Sequence, residues 1–303
     1  MSLFPDKQMK NEQFKGSLFL LLGTAIWGCA FVAQSVAMDH IGPFAFQVGR
    51  SFLAVLVLLP VAGVFDRGKS GGSYCARWKD KRLWKTGLLC GLALFAASGL
   101  QQMGMVHTDP GKAGFLTAMY IVLVPVLGLF LGKRAPLLVW ISVVIAVVGL
   151  YFLSWTGEGG VNIGDIYLIG CALAYAVQIT LVDRFSPGLD GVRLNCIQFL
   201  VTAVLSAVVM IFTESPTWSG ILACMGALLY TGVLSSAVGF TLQIFGQQRV
   251  SGERAALIMS LESVFAVLAG LLILNQMLTG AESIGCVLVF VAVLLSQKQK
   301  KEK

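Results

Sequence analysis

Residues 100–132 read LQQMGMVHTDPGKAGFLTAMYIVLVPVLGLFLG, and residues 242–274 read LQIFGQQRVSGERAALIMSLESVFAVLAGLLIL. Moved along by 142 positions, the first falls on the second without a gap. Leu100, Gln101, Gly104, Ala113, Val122, Gly128 and Leu129 meet the identical residues Leu242, Gln243, Gly246, Ala255, Val264, Gly270 and Leu271. Lys112 meets Arg254 at the start of a helix. Shared apolar composition produces some of these matches, but not a paired amide beside a paired cation. The preceding segments correspond at an offset of 148, with Gly16 on Gly164, Trp27 on Tyr175 and Arg50 on Gln198. One unit is therefore present twice.

Each unit is built from runs long enough to cross a bilayer. Apolar stretches occupy 17–38, 43–65, 84–106, 113–132, 135–155, 164–183, 194–212, 219–245, 255–274 and 280–297. At ~1.5 Å per residue, ~20 apolar residues cover a ~30 Å hydrocarbon layer, and runs of that length satisfy their backbone as helices. The expectation is an all-α integral membrane protein of ten transmembrane helices. They fall into two five-helix repeats, 17–155 and 164–297, between a tail at 1–16 and a basic tail at 298–303. Five is odd, so the second repeat enters from the opposite side and the two are inverted. Secondary transporters often have this plan, with the substrate site near the midplane between repeats.

Charge placement orients the chain. Only 12% of residues are charged and 57% are hydrophobic, against about a quarter charged in soluble domains. With the N-terminus inside, 20 of the 22 Lys and Arg fall in inner loops and tails, Lys112 lies outside, and Arg50 is inside a helix. The positive-inside rule then places both termini in the cytoplasm. The net charge of +7 is thus an orientation signal and no sign of nucleic acid. Membrane lipid is the expected surrounding, and the basic 67–85 loop could also bind anionic lipid. Residues 1–16 are polar and lack the pattern of a cleavable signal.

Other functions leave no trace. The longest hydrophilic piece, 66–83, is too short for a core of its own. Seven cysteines, odd in number and without paired CxxC spacing, indicate neither a disulfide framework nor a metal site. There is no P-loop, GxSxG elbow or HExxH. His40 and His107 lack a ligand partner at short spacing, and Asp109 near His107 reads as a loop residue. No cofactor and no enzymatic activity are expected.

Trp27-Gly28-x-x-Phe31, Gly42-Pro43 and Arg50 resemble the opening of an EamA-type member of the drug/metabolite transporter superfamily. The run from Gly111 to Thr117, followed by Val124-Pro125, resembles that family's fourth helix, and 255–265 resembles its ninth. The likeness covers about 16–297. The family often has a Glu ending helices four and nine, where this chain has Lys133 and Asn275. The resemblance implies export of a small polar metabolite, such as an amino acid, and sets Arg50 in a peripheral helix.

Ionisable residues within the bilayer are costly and so are functional candidates. Glu262 lies about nine residues, ~13 Å, from the cytoplasmic end of its run, and its repeat partner is Tyr120. A carboxylate and a phenol facing one cavity could bind a cationic or hydrogen-bonding substrate, or carry a proton as coupling ion. Alternatively, Glu262 pairs internally and fixes its helix. Arg50, ~12 Å deep and always charged, reads first as structural. Gln101 and Gln243 form a second symmetric pair, and amides at such depth mark helix contacts or a wet cavity. Trp27 and Tyr175 could serve as aromatic walls or cation–π platforms as well as packing, and Gln178 near Tyr175 adds polarity. Gly87 with Gly91, and Gly128 with Gly132, have the spacing of close helix contacts.

The expected function is secondary-active export across the bacterial cytoplasmic (inner) membrane by alternating access. The alternative is a non-transporting membrane sensor or small membrane enzyme. Monomer and homodimer both remain open.

Overall fold

A computed structural model describes residues 5–66, 74–108, 110–153, 162–274 and 279–297. The expectations for residues 1–4, for 67–73, for Asp109, for Asn275 and for the basic tail 298–303 lie outside the described residues, whereas 5–16, expected as a polar tail, form the start of the first helix.

Every element described is helical: α1 Pro5–Met38, α2 Pro43–Asp66, α3 Tyr74–Arg77, α4 Lys81–Met105, α5 Pro110–Ala118, α6 Tyr120–Phe130, α7 Leu137–Leu153, α8 Ile163–Phe185 and α9 Gly191–Thr213. The second half continues with α10 Trp218–Ala223, α11 Met225–Leu229, a π-helical segment Tyr230–Gly239, α12 Phe240–Gln247, α13 Gly252–Met259, α14 Glu262–Leu274 and α15 Gly280–Gln297. Among the described residues, eight stretches are long and apolar enough to cross a membrane. The sequence runs 135–155 and 255–274 fall elsewhere. The first is the 17-residue α7, and the second is divided between α13 and α14 at Ser260 and Leu261. The run 113–132 is likewise divided at Met119, between α5 and α6.

Local chemistry sets the helix ends. Asp80, Asn162, Asp190 and Thr217 cap α4, α8, α9 and α10 by accepting from otherwise unbonded first-turn amides. Pro43 opens α2, where its missing N–H costs nothing. Gly132, at φ 77°, turns the chain after α6 in a conformation that favours glycine.

The halves pack by exchanging contacts, and the contacts come in pairs. A Cβ on Gly104 of α4 would sit 2.6 Å from Leu168 Cγ and 3.0 Å from the Gly164 carbonyl of α8. On Gly246 of α12 it would sit 2.5 Å from Leu20 Cγ and 2.9 Å from the Gly16 carbonyl of α1. Likewise Gly91 meets Val201 Cβ at 2.7 Å and the Gln198 carbonyl at 3.0 Å, while Gly232 meets Leu53 Cβ at 2.7 Å and the Arg50 carbonyl at 3.1 Å. These are the residue pairs that the offsets of 148 and about 142 relate. Small residues let backbones approach, and in lipid that packing is much of what holds helices together. Valine at Gly104 or Gly246 should cost about 1–3 kcal/mol by overpacking, with matching losses at the two positions. Thermal unfolding in detergent checks this, and a neutral result at either position counts against the paired contact.

Helices α2 and α9 run antiparallel, each closing the other's end. Asp66, ending α2, pairs with Arg193 in the first turn of α9. Glu214, 148 positions further on and capping the end of α9, accepts from the Phe44 and Ala45 amides of α2 at 2.9 and 2.8 Å. A carboxylate at a helix N-terminus is held by free amides and by the helix dipole. Gly42 makes room for it, since a Cβ there would lie 2.3 Å from the Glu214 carboxylate.

Candidate functional site

The two interrupted helices meet in the middle of the molecule. The Met119 amide bonds to the Leu116 carbonyl and the Leu261 amide to the Ile258 carbonyl, three residues back instead of four, which tightens each chain where one helix ends and the next begins. Tyr120 and Glu262, 142 positions apart, are the first residues of the restarted helices. They are 4% and 6% exposed, and the Tyr120 hydroxyl donates to Glu262 Oε1 at 3.1 Å. No cation among the described residues lies within ion-pair distance of Glu262.

Both residues line one cavity. Gln101, Gln243, Trp27 and Tyr175 line it as well. The structure thus brings six of the seven candidate site residues to one space. The seventh, Gln178, stands one bond behind and accepts from Gln243 Nε2 at 3.0 Å. Gln243 also donates to Gln247 Oε1 at 2.9 Å. The Tyr175 hydroxyl donates to Gln101 Oε1 at 3.4 Å, and its ring meets Tyr120 edge-on with centroids 6.5 Å apart. Trp27 packs on Phe240 at 4.8 Å, and its indole N–H donates to the Ser235 carbonyl at 3.2 Å.

That carbonyl belongs to the π-helical segment. A π-helix widens the turn, and single π turns often occur at functional sites. Its Ser236 and Ala237 carbonyls each accept from Asn195 Nδ2 at 3.1 Å. From Asn195 an amide chain runs through Gln198, Gln178 and Gln243 to Gln247.

Arg50, read from sequence as structural and peripheral, also lines the cavity and is 3% exposed. Its Nη1 donates to Gln34 Oε1 at 2.8 Å and its Nε to Ser236 Oγ at 3.2 Å. Gln102 donates to the same Gln34 oxygen. Sequence reasoning passed over Gln34. The signal was available, because positions 27, 30, 31 and 34 follow helical spacing on one face of α1 and all four line the cavity. Away from the cavity, Lys112 pairs with Asp165 at 2.7 Å, and Lys133 pairs with Asp183.

The sequence profile of the EamA-like transporter family matches this chain twice, at residues 14–155 and 162–297. An uncharacterized transporter of Archaeoglobus fulgidus is 32% identical over 94% of this chain and 86% of its own length. The uncharacterized transporter YoaV of Bacillus subtilis is 24% identical over 93% and 96%. A chloroplast WAT1-related protein of Arabidopsis thaliana is 24% identical over 89% and 66%. A solved crystal structure superposes with a TM-score of 0.75 over 93% of this chain and 96% of its own at 20% identity. At that identity the likeness speaks to the fold.

Proposed function

Since the chain belongs to the EamA-like transporter family of the drug/metabolite transporter superfamily, a family of membrane transporters, we propose that it exports small polar metabolites, such as amino acids, by alternating access. The observation that carries this is the Tyr120–Glu262 pair, set at the matching breaks of two helices where both residues line one cavity. Interrupted helices at a midplane site are how many secondary transporters present polar groups to substrate.

In this reading α7 is a crossing, and α13 with α14 makes another, for ten in all. The paired contacts, each used once from either half, support two inverted five-helix repeats, 17–155 and 164–297, that rock about the cavity. The partition of 20 basic residues to one side supports cytoplasmic termini in a bacterial inner membrane. Glu262 is the group suited to carry a coupling proton.

The test is flux from proteoliposomes loaded with a mixture of amino acids, with insertion direction scored by protease access to the termini. Counterflow of at least one amino acid above empty liposomes is expected, with both termini on the same face. Absence of flux by folded protein overturns the export reading, and termini on opposite faces overturn the inverted repeat.

A further inference from the structure

Arg50, a fixed cation, and Glu262, an acid, line one cavity, and no ion pair joins them. Their partners are the neutral groups Gln34, Ser236 and Tyr120. A second buried arginine shows what a structural role looks like in this chain. Arg193 is held by the carboxylates of Asp66 and Asp190, as a charge removed from water ordinarily must be. Arg50 has no such carboxylate among the described residues. Two neutral oxygens hold its guanidinium through Nε and Nη1, one of them fixed in turn by Gln102, and Nη2 bonds to no acceptor among the described residues. A planar, always-charged fork positioned this way is suited to receive a carboxylate in bidentate fashion.

We infer that Arg50 anchors the carboxylate of a zwitterionic substrate whose ammonium is received by Glu262, with Tyr120 steadying the acid. The inference rests on the transporter reading and narrows it to α-amino acids with an apolar side chain. Arg50, Tyr175 and Glu262 line the same cavity, so one small molecule there can meet both ends of the site. Trp27, Phe31, Tyr175 and Phe240 supply the apolar wall. A neutral zwitterion would satisfy both buried charges at once, whereas a simple amine or a simple acid would leave one of them unanswered.

Calorimetric titration of the purified full chain in detergent tests this with L-leucine, L-methionine and L-phenylalanine, each beside its carboxamide. At least one acid should bind ten or more times tighter than its amide. In Arg50→Gln that preference should vanish while amide affinity holds. Arg50→Lys, which keeps the charge but loses the fork, should fall between. If Arg50→Gln fails to fold, the wild-type comparison of acid with amide and the Lys variant still decide. Equal binding of acid and amide, or no binding of any of the three acids by folded protein, overturns the inference. Acid preference surviving in Arg50→Gln also overturns it. Preferential binding without flux sinks the transport reading and leaves the anchor, whereas equal flux of acid and amide does the reverse.

Discussion

Glu262→Gln should lower substrate flux ten- to a hundredfold while leaving a folded protein of unchanged size. A hydrogen bond to a charged group contributes about 1.5–3 kcal/mol, and each ~1.4 kcal/mol is a factor of ten. Gln fills the same volume and still offers an oxygen to the Tyr120 hydroxyl, so the packing of α6 against α13 and α14 should survive. What goes is the negative charge and the capacity to exchange a proton, and any pH dependence of flux should go with it. Tyr120→Phe, which removes one neutral donor, should have the smaller effect. Proteoliposome flux across a pH series, measured beside the unfolding temperature, separates the roles. Lowered stability with normal flux would make Glu262 a fixture of α14, and normal values of both would remove it from the site and the core alike.

Arg193→Leu should be the most destabilising single change, by about 3 kcal/mol, since removing one partner of a buried ion pair strands the others. The Arg193 side chain is 0% exposed, with Asp66 at 14% and Asp190 at 23%. Its guanidinium also lies 5.3 Å from the ring centres of both Tyr74 and Trp78. It thereby ties the end of α2, the start of α9 and the short α3 together. Lysine keeps the charge but can neither fork to two carboxylates nor stack as a plane, so Arg193→Lys should recover only part of the loss. Denaturation in detergent measures both variants. A loss below about 0.5 kcal/mol for Arg193→Leu would show that this cluster is solvated and contributes little.

Much of this was legible in the sequence, for identifiable reasons. Hydropathy reports spans because lipid permits so few alternatives for the backbone. The 142-residue shift paired Tyr120 with Glu262 and Gln101 with Gln243 before any contact was visible. The helix breaks at Met119 and Ser260 were hidden, since no proline or glycine stands at either and the apolar run continues through them. Arg50 was set at the periphery by the family resemblance alone, and its depth along the helix could not correct this, because depth says nothing about which way a helix is turned. The Asp66–Arg193 bond joins residues 127 positions apart, beyond any local pattern. The π-helical segment, too, depends on the side chains of α1 and α9 that fill its opened carbonyls, and not on its own residues alone.

The exchanged contacts between the halves bear on where such a chain came from. The glycine contacts appear twice with the roles of the halves reversed, as in the interface of an isologous dimer. A single ancestral unit would have met its own copy through the glycine crossings now at 104 and 246 and through the carboxylates now at 66 and 214, each of which ends one helix and holds the start of another. Fusing two copies would then have fixed a ratio of one to one and freed each position to diverge. Tyr120 and Glu262, related by the same offset, would be the product of that freedom: a phenol on one side, a carboxylate on the other.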